Sequence, residues 1–67
     1  MNNYPTIQIE MVYNISGERT KEWVTLPFVP RVGDIVTRHD IEFEVKDVII
    51  DLDGKYKYGI VVRLRNI

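Results

Sequence analysis

Apolar and polar residues alternate with a period of two along most of the chain, which predicts strands. From Thr6 to Asn14, Ile7, Ile9, Met11 and Tyr13 fall on one face and Gln8, Glu10 and Val12 on the other. Ser16-Gly17-Glu18-Arg19 is a polar connection containing glycine. A second alternation, from Glu22 to Phe28, sets Val24, Leu26 and Phe28 against Trp23 and Thr25, so Trp23 is out of phase with the apolar set. The pattern leaves the register between these two strands open. Pro27 and Pro30 bracket the end of the run; proline has no N–H for a ladder, so the strand stops or lies at an edge there. Val32-Gly33-Asp34 then turns the chain into a short strand near Ile35 to Thr37, and Arg38-His39-Asp40 turns it again.

From Ile41 to Arg65 the alternation predicts one long hairpin with Asp53-Gly54, a pair suited to positive φ, at its tip. That tip sets Phe43 against Leu64, Val45 against Val62 and Ile49 against Tyr58 on an apolar face. On the other face it sets Glu44 opposite Arg63 and Glu42 opposite Arg65, each pair adding about 0.2–1 kcal/mol. Composition supports the strand reading: nine Ile, nine Val and four Thr stand against three Leu and no Ala. β-branched side chains lose rotamer freedom in helices and pack well on pleated sheets. Five consecutive antiparallel strands with one apolar face can bury that face in a chain this short by curling into a small barrel. The expected organisation is one domain over residues 1–67, with 1–5 a flexible lead-in.

One segment carries a family resemblance. Leu26-Pro27-Phe28-Val29-Pro30-Arg31-Val32-Gly33-Asp34-Ile35-Val36, followed by Phe43-Glu44-Val45 and Val48, resembles a pattern in short uncharacterised bacterial and phage proteins. It also resembles the small SH3-like barrels, in which a Gly-Asp turn precedes a strand and an aromatic-x-Val strand follows. The resemblance implies a five-stranded antiparallel SH3-like barrel with a long C-terminal hairpin. The acidic and aromatic loop pattern that builds the proline-peptide groove of signalling SH3 domains is absent, so that ligand class does not carry over.

Charge narrows the classes of partner. The net charge is −1, and nine basic and ten acidic side chains are interspersed, so no global field draws the chain to nucleic acid or anionic lipid. With no Cys, neither a disulfide framework nor a thiolate metal site can form. No apolar run approaches the roughly 20 residues of a membrane helix, and the N-terminus lacks a signal pattern, which points to the cytoplasm.

Catalytic chemistry has few candidates. Ser16 is the only Ser and His39 the only His; His39-Asp40 has a sufficient reason to be present as a turn. Asp47, Asp51 and Asp53 need not converge, and Asp51-Leu52-Asp53-Gly54 is too short for an EF-hand loop. The expectation is a protein that is not an enzyme and has no metal or cofactor. Trp23 is a candidate interface anchor, and the first strand or the short strand near Ile35 is a candidate free edge for strand addition. The reading is a non-catalytic interaction module that binds a protein partner or self-associates as a homodimer. Its ligand surface would centre on Trp23, Tyr56 and Tyr58, with Lys55, Lys57 and Arg63 at its edge. The alternative is weak RNA or single-stranded DNA binding through the basic face of the C-terminal hairpin, where Lys55, Lys57, Arg63 and Arg65 share one parity and tyrosines offer stacking surfaces.

Overall fold

The computed structural model describes residues 6–54 and 59–67. They form five strands and no helix: β1 (Ile7–Ile15), β2 (Glu18–Leu26), β3 (Ile35–Arg38), β4 (Ile41–Ile50) and β5 (Ile60–Asn66). No helix is long and apolar enough to cross a membrane among these residues. The expected all-β character holds. The second strand begins four residues earlier than its apolar alternation indicated, because Ser16 (φ 51°) and Gly17 (φ 82°) alone make the turn. Both central residues have positive φ, the geometry of a tight two-residue hairpin, and Ile15 pairs with Glu18 across it. His39 (φ 55°) and Asp40 (φ 62°) repeat the device between β3 and β4, closing on the pair Arg38 and Ile41.

The sheet order is β2-β1-β5-β4-β3, and β1 pairs with β5 in parallel. This corrects the all-antiparallel expectation, and the reason is topological. When every successive strand reverses direction, the first and fifth point the same way, so the step that joins them must be parallel. The sheet curls into a half-barrel. Its inner face carries the core: Ile9, Met11, Tyr13, Phe43, Val45, Val62 and Leu64. Tyr13 and Phe43 pack with ring centroids 5.1 Å apart, tilted by 52°. The turn before β3 is tied to the same core. Arg31 to Asp34 closes through Asp34 N–H to the Arg31 carbonyl, with Gly33 at φ 95°. Gly33 N–H donates to the Val45 carbonyl, and Val45 N–H donates to the Asp34 carbonyl. The Gly-Asp turn and the Phe-x-Val strand are thus neighbours in space.

The β4–β5 register differs from the one the Asp-Gly tip predicted. Val45 faces Leu64, Glu44 faces Arg65 and Phe43 faces Asn66, a slide of two residues from the expected pairs. An even slide preserves which side chains point inward, so the apolar face is as read while every partner changes. A β-bulge at Lys46, between Val45 and Asp47, then adds one more residue, and Val48 rather than Ile49 faces inward opposite Val62. The hairpin closes through Asp51 N–H to the Gly59 carbonyl, so the connection is longer than a two-residue turn. The predicted pair Ile49 and Tyr58 is replaced by Ile49 and Val61. Gly59 has φ 81°, and a Cβ there would stand 3.3 Å from the Asp51 carbonyl oxygen. Gly59→Ala is therefore expected to cost about 1–2 kcal/mol of stability in a urea titration; an unchanged midpoint would mean the loop relaxes freely.

Two further expectations change. The alternation groups Phe28 with Val24 and Leu26 as core, but β2 ends at Leu26 and Phe28 is 59% exposed, since the alternation does not survive Pro27. The first strand is not an edge: β1 has β2 on one side and β5 on the other. The free edges belong to β2 and β3.

Candidate functional site at an open sheet seam

Where a closed barrel would join β2 to β3, the sheet is open. No Cα of β2 lies within 8 Å of one in β3, well beyond the strand spacing of about 4.8 Å, so no ladder joins them. Hairpin geometry tells which backbone groups face the gap. Arg38 and Ile41 flank a two-residue turn and form a hydrogen-bonded pair, so Val36 also bonds to β4, and Ile35 and Thr37 direct N–H and C=O outward. The bond from Val45 N–H to the Asp34 carbonyl keeps the same alternation. On β2 the same argument from Ile15 and Glu18 turns the backbone groups of Lys21, Trp23 and Thr25 to the gap.

At one end of the seam lies an apolar groove of about 340 Å³, lined by Met11, Leu26, Phe28, Pro30, Asp34, Ile35 and Val36. Ile35 is 56% exposed beside the already exposed Phe28. Pro30 is buried beneath them, which holds the segment between β2 and β3 against the sheet. At another point the two edges are joined by side chains alone. Arg38, on β3, donates from Nε to Glu22 Oε1 at 2.8 Å, and its second guanidinium nitrogen binds Oε2. The buried Tyr13 hydroxyl donates to the same Oε1 at 2.7 Å. Hydrogen bonds from Arg38, then from Tyr13, hold the Glu22 carboxyl below the usual carboxylate range against the opposing effect of burial. Burial, reinforced by Glu22, pushes the Tyr13 phenol up.

The outer face of the sheet contains the other named residues. Trp23 is 42% exposed and stands opposite Glu10 on β1. Its expected phase, opposite to Val24 and Leu26, holds. Arg63 lies on the same face one strand beyond β1, opposite Val12. The two share a face without being direct neighbours. Lys55, Tyr56, Lys57 and Tyr58 lie outside the described residues. The ion pairs expected on the hairpin use the right arginines with shifted partners. Arg63 grips Asp47 through two bonds of 2.7 and 2.6 Å, and Arg65 binds Glu44 at 2.9 Å. Arg63 holds the Asp47 carboxyl below its usual range. Val12 and Val61, outside the inner core, are nevertheless buried on this face.

Sequence reasoning missed the groove and the clasp. Two prolines around an apolar pair, Phe28-Val29, were a legible sign of an unusual segment, but not of what it would face. Nothing local could link Glu22 to Arg38, which are 16 residues apart and on strands that do not pair. No family model matches the chain, and neither the curated proteins nor the solved structures provide a match.

Proposed function

We propose that this chain is a small SH3-like barrel that acts as a non-catalytic interaction module, receiving an extended apolar segment of a partner protein against β3 at the seam. The observation that carries the reading is the combination of unpaired N–H and C=O groups at Ile35 and Thr37 with the apolar groove beside them. Backbone groups alone attract any strand; the groove supplies selectivity, because alternate side chains of an added strand point to one face and would enter it. Phe28 and Ile35 are the exposed walls that such side chains would cover. The occupant favoured is therefore a peptide in β conformation with apolar residues at every second position, not a helix or a proline-rich helix.

The test uses proline as a donor deletion. Ile35→Pro removes an N–H that β4 does not use, so the β3–β4 ladder survives on an edge strand. Peptides selected from a random display library on the wild-type protein should share the alternating apolar pattern and bind Ile35→Pro at least about tenfold more weakly, the loss of one hydrogen bond of about 1.4 kcal/mol. Circular dichroism should show the variant folded. Selected peptides that bind Ile35→Pro as well as wild type, or a selection that enriches nothing, would overturn the strand-addition reading.

A further inference from the structure

The outer face holds a second depression, distinct from the seam. It has a volume of about 240 Å³ and is lined by Val12, Tyr13, Asn14, Arg19, Lys46 and Arg63. Its polar lining contrasts with the apolar groove. Three observations converge on it. The first is the β-bulge: Lys46 is the extra residue of β4, and a bulge re-aims a side chain at the expense of ladder regularity. Lys46 consequently reaches a depression that also touches β1, β2 and β5. The second is charge. Arg19, Lys21 and Lys46 enter no ion pair within 4 Å among the described residues, whereas Arg63 and Arg65 are held by Asp47 and Glu44. Among the described residues, the two arginines of β5 are thus neutralised, while Arg19 and Lys21 on β2 and Lys46 beside Asp47 on β4 are held in no such pair. The third is spacing. Arg19 pairs with Asn14 and Lys21 with Val12, while Val12 also faces Arg63. Arg19 and Lys21 are thus about 7 Å apart along β2, and Lys21 and Arg63 about 10 Å apart across β1. Trp23, partly exposed, continues the β2 row beyond Lys21, and Glu10 opposite it bounds the basic region.

We propose that this depression binds the phosphate backbone of a single-stranded nucleic acid, with Arg19, Lys21 and Lys46 contacting phosphates, the Asn14 amide donating beside them and the exposed part of Trp23 offering a base a stacking surface. A spread of cations along one strand, rather than one convergent cage, fits successive phosphates of an extended chain better than a single anion. Sheet surfaces that combine cations with an aromatic ring bind unpaired bases, and among the described residues this face carries no helix to enter a duplex groove. The proposal is independent of peptide binding at the seam, which uses the β3 edge.

Fluorescence anisotropy with a labelled oligouridylate and a labelled oligothymidylate, titrated over increasing NaCl, tests it. Three phosphate contacts give a slope of log affinity against log salt of about −2, at about 0.7 per phosphate for single strands. The double variant Arg19→Gln/Lys46→Gln, altered only at exposed positions, should reduce the slope to about −0.7 and weaken binding on the order of tenfold at low salt. Ile35→Pro should bind the oligonucleotide as wild type does, which separates this site from the seam. A flat anisotropy at low salt, or equal binding by the double variant, would overturn the proposal. So would amide shifts around Arg19 and Lys46 on adding inorganic phosphate, at constant ionic strength, without any response to oligonucleotide: that result assigns the depression to a small phosphate compound.

Discussion

Phe43→Ala is expected to leave most of the protein unfolded at 25 °C, with loss of the cooperative transition in urea. Phe43 is fully buried on β4, touches the Tyr13 ring and lies two residues from Val45, which anchors the Gly-Asp turn. Truncating a buried Phe to Ala costs about 3–5 kcal/mol, the lost transfer free energy plus the cavity left behind. Domains in general are stable by only about 5–15 kcal/mol, and a chain of this size buries too little surface to sit high in that range. Among the described residues the curled sheet is a single layer with no helix packed on it, so its inner face has no second core there to compensate. An urea midpoint within experimental error of wild type would show that the inner face is not the stabilising core.

Removing the carboxylate that joins the seam has the second largest effect. Glu22→Ala should cost about 1–3 kcal/mol, the penalty of leaving the buried Tyr13 hydroxyl without an acceptor. For a domain of this size each kcal/mol lowers Tm by about 4–8 °C. Arg38 itself is exposed, so its release to water adds little. The same contact makes stability dependent on acid. The folded-state pKa of Glu22 is depressed, so its contribution is complete above the unfolded carboxylate value of about 4.3 and is lost as pH falls through the lower folded value. Asp47, depressed by Arg63, acts in the same direction from an unfolded value of about 3.9. Glu22→Gln retains an acceptor for Tyr13 but cannot titrate, so the acid-side loss of stability should shrink in this variant and not disappear. Thermal melts at pH 7 and in the acid limb measure both effects; identical pH profiles for wild type and Glu22→Gln would remove Glu22 from the account.

The two effects bear on function through different links. Phe43 determines whether a sheet exists to present the seam and the outer-face depression. Glu22 determines how firmly β2 and β3 are held relative to each other, and hence the width of the gap that an added strand would enter. A variant lacking the clasp should therefore change affinity for seam peptides even where it remains folded, while binding at Arg19 and Lys46 follows the fold alone.

The alternation of Ile7, Ile9, Met11 and Tyr13, the polar connections Ser16-Gly17-Glu18-Arg19 and Arg38-His39-Asp40, and the β-branched composition determined that the chain is a set of five strands with one apolar face. They could do so because side-chain direction in a strand has period two and positive φ is confined to few residues, both local properties. Sequence also put Trp23 out of phase with Val24 and Leu26 without deciding between core and interface, and the structure leaves it 42% exposed. It did not determine register in the last hairpin: sliding by two residues leaves the same side chains inward, and the pattern cannot distinguish the alternatives. The Lys46 bulge, the longer connection closed at Asp51 and Gly59, and the packing of Val48 against Val62 decided that between them. Tertiary structure alone decided that β1 runs parallel to β5, that β2 and β3 remain unpaired, and that Glu22 meets Arg38 beside Tyr13, because each depends on how a curved sheet brings distant strands together rather than on any residue's neighbours in the chain.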